Sequence, residues 1–402
     1  MKWGKVKVGD CCEVTSSKRI FFSEYVDSGV PFYRSKEIIE SSNGQAISEP
    51  LFISQEKYDE IKNHFGVPQS GDMLLTSVGT IGVPYIVREK DYFYFKDGNL
   101  TWFRNFSDEL DSKYLYFWVK SSEGQSILNN TTIGSSQKAL TIASLKGLEI
   151  PCPPSPVQKR IVEFLAGYDD LIENNQKQIK LLEEAAQRLY KEWFVDLRFP
   201  GHETTPIVDG IPQGWERMVL SEVTSVLKRG ISPKYSDNGK YSVINQKCIR
   251  SSIMDISESR RQEKEYVPTL NLQDSDTVIC STGTGTLGRV GRVYGDYPNT
   301  TFDSHVTLVR AKENPNYIYH VVKSQQEYLM GMGRGSTNQQ ELYRDVIERL
   351  VVLCPSQDIL LKADRGLNAI HCKIKAVYLQ NNLLVESRDR LLPKLISGEL
   401  EV

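Results

Sequence analysis

The two halves of this 402-residue chain repeat each other weakly but in order, and this repeat restricts the possible folds more than any other feature. The matching segments, first half against second, are YRSKEI (33–38) and INQKCI (244–249), DMLLTSVGTIG (72–82) and DTVICSTGTGTLG (276–288), NLTWFR (99–104) and HVTLVR (305–310), KYLYFWVKS (113–121) and NYIYHVVKS (316–324), and GSSQKAL (134–140) and GSTNQQEL (335–342). From Cys152 and Cys354 onward the copies align without a gap at an offset of 202. We therefore expect one module built twice, with a pseudo-twofold internal repeat.

Each copy opens with short β-like runs and closes with a long helix. Residues 1–153 and 200–355 are rich in aromatic residues and in Gly, Asn, Asp and Ser turns, whereas 154–199 and 356–402 follow a proline-bearing stop and are strongly helical. The first helix is expected to begin near Pro156 or Val157, because proline suits the opening turn of a helix. The second is expected to end at Ser397-Gly398. These four ranges are the predicted domains of an α+β fold.

A heptad pattern in both helical segments predicts that the two helices pair as a coiled coil. Apolar residues alternate at spacings of four and three, although ordinary amphipathic core helices are an alternative. The predicted seam consists of Ile161, Leu165, Tyr168, Ile172, Asn175, Ile179, Leu182, Ala186, Leu189 and Trp193, and of Ala363, Leu367, Ile370, Ile374, Val377, Asn381, Leu384, Arg388, Leu391 and Leu395.

The polar residues in the seam indicate whether the two helices pair in parallel or antiparallel. A parallel pair would bury Asn175 and Asn381 against apolar side chains, at about 1–3 kcal/mol each. An antiparallel pair places Asn175 opposite Asn381, Trp193 against Ala363 and Tyr168 beside Arg388. We therefore predict an intramolecular antiparallel coiled coil.

The charge balance does not indicate a generic nucleic-acid-binding protein, which is usually basic. Lys and Arg number 49 against 51 Asp and Glu, which gives a net charge of −2. The segment 221–265 is one local basic patch, with nine Lys or Arg against six Asp or Glu, although a mixed solvated surface gives a similar excess. No long apolar run or apolar leader occurs, so a cytoplasmic protein is expected. Seven cysteines without a CxxC pair predict free thiols, and five scattered histidines predict no metal site.

One glycine motif suggests a cofactor site but lacks the context that such a site requires. Residues 283–288 read GTGTLG, yet the following RVGRVY (289–294) is predicted to be a strand, whereas a dinucleotide-binding loop opens a helix. Asn314-Pro315-Asn316-Tyr317 departs at its third position from the NPPY-type loop of amino-methyltransferases. A nucleophile with a base and an orienting residue is not visible either. The chain is therefore predicted to be non-catalytic.

The order of these segments resembles the specificity subunits of type I restriction-modification enzymes over the entire chain. The most specific stretches are PPSPVQKRIVEFLAGYDDLIENN (153–175), KRGISPKY (228–235), STGTGTLGRVGRV (281–293) and LLPKLISGEL (391–400). The resemblance implies that each β-rich domain is a target-recognition domain that reads half of a split DNA site, and that the helices set the gap between the halves. It implies partners as well: double-stranded DNA, two methyltransferase subunits and two restriction subunits. No cofactor is expected on this chain, and SAM, ATP and Mg are implied for the partner subunits.

Loop residues that could reach DNA follow from the donors and acceptors that groove and phosphate contacts need. In the first domain the candidates are Lys18, Arg19, Arg34, Lys36, Thr76, Ser77, Thr80, Ser135, Ser136, Gln137 and Lys138; in the second they are Lys228, Arg229, Ser232, Lys234, Asn245, Gln246, Lys247, Thr282, Thr284, Arg289, Arg334, Ser336, Thr337, Asn338 and Gln339. The Gly/Thr loops could instead be plain hairpin turns, and the GSSQK and GSTNQ segments helix N-caps.

Two alternative functions remain open from the sequence. One is a coiled-coil scaffold whose repeated β domains do not bind DNA. The other is a stand-alone DNA methyltransferase whose motifs have drifted.

Overall fold

The computed structural model describes residues 3–42, 44, 47–134, 138–283, 285–335 and 340–402. The chain folds into two compact units, and each of the two long helices contributes to both. Unit 1 comprises residues Met1–Gln176 and Leu379–Val402, and unit 2 comprises Lys177–Tyr378. These units cut across the four linear domains of the sequence, whose boundaries therefore stay a prediction.

Among the described residues, unit 1 contains ten strands, six short helices and a part of each of the two long helices. The strands are β1 (Lys5–Lys7), β2 (Glu13–Thr15), β3 (Tyr25–Val26), β4 (Val30–Tyr33), β5 (Leu51–Ile53), β6 (Met73–Thr76), β7 (Pro84–Ile86), β8 (Tyr94–Phe95), β9 (Leu100–Arg104) and β10 (Glu149–Pro151). The helices are α1 (Val8–Cys11), α2 (Ser35–Ser42), α3 (Gln55–Phe65), α4 (Ser112–Lys120), α5 (Ser122–Thr131), α6 (Ile142–Lys146) and the first part of α7 (Ser155–Tyr190). One antiparallel sheet has the order β2-β9-β6-β7, and a second has the order β3-β5-β4-β8, with β4 and β8 parallel.

Unit 2 repeats this plan. Its strands are β11 (Ile207–Val208), β12 (Ile211–Pro212), β13 (Glu216–Val219), β14 (Thr224–Arg229), β15 (Tyr241–Ile244), β16 (Arg260–Gln262), β17 (Thr277–Cys280), β18 (Val290–Arg292), β19 (Thr300–Phe302), β20 (Val306–Ala311) and β21 (Val351–Cys354). Its helices are α8 (Leu220–Val223), α9 (Pro315–Ser324), α10 (Gln326–Gly331), α11 (Arg344–Glu348) and most of α12 (Gln357–Ser397). The sheet order β14-β20-β17-β18 matches that of unit 1, and β15 pairs parallel with β19 as β4 does with β8.

The repeat extends to individual buried hydrogen bonds. The hydroxyls of Ser77 and Thr101 lie 2.7 Å apart in unit 1, and those of Ser281 and Thr307 lie 2.6 Å apart at the matching positions of unit 2. A buried aspartate opens the matching strand in each unit. Asp72 accepts from the Trp102 indole at 2.8 Å, and Asp276 accepts two bonds from Arg310 at 2.7 Å. The weak sequence repeat is therefore a repeat of structure.

In unit 1 the start of α7 packs antiparallel against the end of α12. Ile161 and Leu165 share a buried core with Leu392 and Leu395, so early residues of one helix meet late residues of the other. Further along, Arg388 donates to Asp169 at 2.5 Å. The partner of Arg388 is thus Asp169, the residue next to the predicted Tyr168.

The same direction holds in unit 2. Ile179 and Leu182 pack in one cluster with Ile370 and Ile374, and Gly366 lies against Leu189. The helix α7 continues as a π-helical turn (Lys191–Val195), where Trp193 packs on the core that contains Ala363. All ten predicted seam positions on each helix are buried or half-buried.

The two seam asparagines are both buried at 8% exposure but do not bind each other among the described hydrogen bonds. Asn175 donates to the Gln380 side chain at 3.4 Å, and Asn381 donates to the Ile172 carbonyl at 3.4 Å. The predicted orientation is therefore observed without the predicted amide pair, because the amide NH₂ groups of the two asparagines donate to a neighbouring side chain and to a helix carbonyl instead.

The ends of the long helices agree with the sequence. The helix α7 begins at Ser155, next to the predicted Pro156, and α12 ends at Ser397. Gly398 then adopts a φ of +75°, a left-handed conformation that glycine allows at the end of a helix. Within the described ranges, no helix is long and apolar enough to cross a membrane.

Candidate nucleic-acid interface

In unit 2 the structure brings together several predicted residues from separate loops, around Glu341 and His305. Arg229, at the end of β14, donates from Nε to the Ser304 carbonyl at 2.5 Å and from Nη1 to the Glu341 carboxylate. Thr282 bonds His305 Nδ1 through its hydroxyl at 2.6 Å. Thr282 and Arg334 both form β-bridges to Glu341. These loops are distant in sequence, so the cluster depends on the fold of the sheet.

Two further loops border this cluster. Gln246 lies beside Gly283, since its Nε2 would be 3.6 Å from a Cβ placed on that glycine. The Asn245 side chain caps the backbone N–H of Lys247 at 2.8 Å, and Asn245 is only 8% exposed. Asn245 is therefore corrected from a DNA contact to a residue that shapes the loop.

The cluster in unit 2 also contains acidic groups that the sequence did not single out. Asp303 is buried, and its burial raises the pKa of the carboxyl. Burial lowers the pKa of Arg229, while the charge of Asp303 opposes that shift. The carboxylate of Glu341 holds the Arg229 guanidinium in place. Fixed donor groups of this kind suit direct contacts with base edges, because little side-chain entropy remains to be lost.

The other candidates of unit 2 lie on more exposed segments. Lys228 and Lys247 are exposed. Lys234 is exposed and pairs with Glu263 at 2.8 Å, and the Ser232 carbonyl accepts from Lys264 at 3.1 Å. Arg289 is partly exposed at the end of the loop between β17 and β18. That loop joins two antiparallel strands, which agrees with the hairpin-turn interpretation of the GTGTLG motif.

In unit 1 the exposed candidates are Lys18, Arg19, Lys36, Thr80 and Lys138. Arg19 pairs with Asp97 at 3.0 Å and keeps 69% of its side chain exposed. The ammonium group of Lys18 lies 4.1 Å from the centre of the Phe65 ring. Lys36 pairs with Glu49 at 2.8 Å.

Arg34 is tied to a buried acid. Its Nη2 donates to Glu37 at 2.6 Å, and the Glu37 side chain is fully buried. Burial raises the pKa of Glu37, but hydrogen bonds from the Arg34 side chain and backbone outweigh it and hold that pKa below its usual range. Arg34 is about one-third exposed, so part of the guanidinium still reaches the surface.

Thr76 and Ser77 are corrected, because the structure turns both side chains inward. Thr76 is fully buried and accepts from the Val83 N–H at 2.9 Å. Ser77 is 2% exposed and bonds Thr101. Thr76 therefore holds the β6–β7 turn and Ser77 ties the end of β6 to β9, and neither side chain offers a surface to DNA. Eight further candidates lie outside the described residues: Ser135, Ser136, Gln137, Thr284, Ser336, Thr337, Asn338 and Gln339.

Sequence reasoning missed two exposed phenylalanines next to Lys18 and Arg19. Phe21 is 60% exposed and Phe22 is 86% exposed, on a turn between β2 and β3. The sequence did contain a signal for them, since two adjacent phenylalanines follow two basic residues in a predicted loop. The repeat also indicated them, because KRIFFSEY at 18–25 aligns with KRGISPKY at 228–235.

Comparison with known proteins assigns both units to one family. The family model described as the type I restriction modification DNA specificity domain matches residues 1–184 and 212–359. The MjaIX specificity subunit of a type I restriction enzyme from Methanocaldococcus jannaschii is 28% identical over 424 residues, which cover 100% of this chain and 94% of the relative. The HindI specificity subunit from Haemophilus influenzae is 22% identical over 335 residues, which cover 65% of this chain and 71% of the relative.

A solved structure shares the fold over almost the whole length. The S subunit of the type I restriction-modification system from M. genitalium has a TM-score of 0.56 and 16% identity, and the match covers 98% of this chain and 96% of that one. The family model spans most of the chain and matches each of the two repeated domains once. This chain therefore belongs to the family of type I restriction-modification DNA specificity subunits.

Proposed function

We propose that this chain is the DNA-recognition subunit of a type I restriction-modification complex, in which each unit reads half of a bipartite site. The observation that carries the proposal is the structural repeat. The same sheet, with the same buried Ser–Thr pair, presents a basic loop in each unit, at Lys18-Arg19 and at Lys228-Arg229. Two copies of one reader in one chain suit a site with two halves.

Within unit 2, Arg229, Gln246, Thr282 and Arg334 are the proposed base-reading or phosphate-binding groups. Arginine donates to guanine edges, glutamine pairs with adenine edges, and threonine serves either base edges or phosphates. Lys228, Lys234, Lys247 and Arg289 are proposed as phosphate contacts. In unit 1 the corresponding set is Lys18, Arg19, Arg34, Lys36, Thr80 and Lys138. The near-neutral net charge means that these local groups, together with partner subunits, supply the affinity.

Catalysis is proposed to reside in partners. Two methyltransferase subunits using SAM would methylate adenine, and two restriction subunits using ATP and Mg would translocate and cleave the DNA. The long helices carry exposed apolar side chains, among them Leu171 and Leu181 on α7 and Leu361 and Leu383 on α12. Such side chains suit docking of the methyltransferase subunits. The complex would act in the cytoplasm, with no cofactor on this chain.

A domain exchange tests the division of labour. Replacing residues 206–355 with the matching domain of another specificity subunit should change one half of the methylated site and leave the other half unchanged. A change in both halves, or in neither, would contradict one unit per half-site. If the wild-type complex shows no sequence-dependent DNA binding, the scaffold alternative is favoured. If the chain alone methylates DNA, the methyltransferase alternative is favoured.

Individual contacts can be separated by their salt dependence. Lys228→Gln should weaken binding to every sequence alike and reduce the salt slope by about one, as expected for a phosphate contact. Arg334→Ala should cost about 1–3 kcal/mol and relax the choice of base at one position if Arg334 reads a base edge. Lys312→Gln, at the residue directly after β20, is the matched control. It should change neither the salt slope nor the choice of base.

A further inference from the structure

Unit 1 exposes aromatic rings beside its basic loop, where unit 2 has none at the aligned positions. Phe21 and Phe22 project from the turn after Lys18 and Arg19, and Phe65 at the end of α3 is 47% exposed. At the aligned positions of unit 2 the residues are Ile231 and Ser232. Exposed phenylalanines are unfavourable in water, so a group of them beside cations indicates a surface that another molecule covers.

The turn that carries the rings is braced. The Phe21 N–H donates to the Glu24 carboxylate at 2.7 Å, and the Glu24 N–H donates back to the Phe21 carbonyl at 2.9 Å. Lys57 on α3 pairs with the same carboxylate at 3.1 Å. The hydrogen bond from the Phe21 backbone, reinforced by Lys57, lowers the pKa of Glu24, so the brace stays charged at neutral pH.

The Phe22 ring is supported from below. It meets Tyr25 edge-on with ring centres 5.5 Å apart, and Tyr25 in turn packs on the fully buried Phe32 at 5.3 Å. A ring held in this way loses little freedom when it is covered, which favours its use as a rigid contact.

The position of the turn corresponds to the candidate interface of unit 2. The Ser77 N–H donates to the Asn99 carbonyl, as the Ser281 N–H donates to the His305 carbonyl. Asp97 and Asp303 therefore occupy matching places, two residues before these carbonyls. Arg19 pairs with Asp97 in unit 1. In unit 2 burial lowers the pKa of Arg229 and the charge of Asp303 opposes that shift, so each aspartate interacts with the arginine of its basic loop.

Resting on the proposed function, we propose that Phe22, with Phe21 beside it, makes apolar contact with the bases of the half-site read by unit 1. The flanking Lys18 and Arg19 favour a polyanion over an uncharged protein surface. Phenylalanine is used both against the thymine methyl group and as a wedge between base steps. This contact would distinguish the two readers, since unit 2 lacks an aromatic residue at either position.

The test uses the complex of this chain with its methyltransferase subunit and a duplex that carries the mapped site. Phe22→Ala should weaken binding by about tenfold or more, the effect expected from losing one buried ring, and should leave the salt slope unchanged. Phe22→Trp should retain most of the affinity. Tyr328→Ala, which removes a 53% exposed ring from α10 of unit 2, is the matched control and should bind as the wild type does.

Each outcome decides the proposal. The defect of Phe22→Ala should vanish on a duplex whose first half-site is scrambled, because the contact is then already lost. Unchanged affinity of both Phe22→Ala and the Phe21→Ala, Phe22→Ala double variant, with a wild type that selects its site, would overturn the proposal and leave the proposed function standing. Failure of the variant to assemble with the methyltransferase, measured by mass photometry, would overturn it in favour of a protein contact. A wild-type complex without sequence preference would instead contradict the proposed function.

Discussion

A buried histidine pair in unit 2 predicts that this part of the protein loses stability in mild acid. The Nε2 atoms of His320 on α9 and His371 on α12 lie 3.0 Å apart, and the Tyr294 hydroxyl lies 2.8 Å from His371 Nδ1. Burial, reinforced by the charge of Arg292, lowers the pKa of His320 to about 3 and that of His371 to about 2. Both imidazoles are therefore neutral in the folded state throughout the range from pH 5 to pH 8.

The magnitude follows from the difference between folded and unfolded states. In the unfolded chain each histidine titrates near pH 6.5, so between pH 7.5 and 5.5 the unfolded state takes up protons that the folded state does not. Because the folded pKa is depressed, the stability is fully present above about pH 6.5 and is lost as the pH falls from there towards the folded pKa. Between pH 7.5 and 5.5 the loss is about 1.4 kcal/mol for each histidine, or about 3 kcal/mol for the pair.

Neighbouring groups also titrate, so a variant is needed to isolate the histidines. Burial raises the pKa of Glu183, which acts in the opposite direction, and burial lowers the pKa of Lys323. The comparison is between the wild type and a His320→Gln, His371→Gln double variant, which keeps polar side chains but cannot be protonated.

The assay is urea unfolding at pH 7.5 and at pH 5.5, monitored by the fluorescence of Trp193 and Trp215 in variants that lack the other three tryptophans. The wild type should lose about 3 kcal/mol more than the double variant between these pH values. Equal losses, or imidazole resonances of the folded protein that titrate near pH 6.5, would refute the reasoning.

Two further substitutions test the packing. Asn381→Leu should raise the free energy of unfolding by about 1 kcal/mol, because the buried Oδ1 of Asn381 lacks a hydrogen-bond partner among the described residues; urea unfolding that shows a loss would contradict this. Asp276→Asn should lower that free energy by about 3 kcal/mol, since it leaves the positive charge of the largely buried Arg310 without its carboxylate partner. Breaking the exposed Asp358–Lys362 pair by Asp358→Asn is its control and should cost less than about 1 kcal/mol. If the two aspartate variants lower the free energy of unfolding equally, burial of the ion pair does not determine how much its loss destabilises the protein.

The long helices were predictable because their signal is local and repeated. Leu165 and Leu367 occupy equivalent seam positions, and the alternating spacing of four and three persists over several turns after each of them. The partner atoms of Asn175 were not predictable. A heptad assigns it to the seam but does not say whether Asn381 or the adjacent Gln380 offers the nearer acceptor.

The interiors of the readers were less predictable. The apolar run in KYLYFWVKS suits a buried strand or a buried helix equally well, and the structure makes it helix α4. Asp111 favours the helix over the strand, because its carboxylate accepts from the N–H groups of Lys113 and Tyr114 at 2.8 and 3.1 Å and so caps the start of the helix. An N-cap three residues ahead of an apolar run was a readable signal.

The candidate DNA contacts show why residue type alone identifies such sites poorly. Ser77 and Thr80 lie in the same Gly/Thr turn, yet Ser77 faces the sheet and Thr80 faces solvent. Thr76 and Ser77 are both buried where the strand ends, and exposure begins only in the turn that follows, so the residue type alone does not separate a structural role from a binding role. The cluster around Glu341 depends on loops from β14, β17 and the segment before α11, which only the folded sheet brings together.

The most direct measurement of the central claim is long-read mapping of DNA methylation in cells that express this chain with its methyltransferase partner. We predict a split motif with a methylated adenine in each half, separated by a fixed unspecified gap. A continuous motif, or methylation that does not depend on this chain, would contradict an account in which two repeated units each read one half-site.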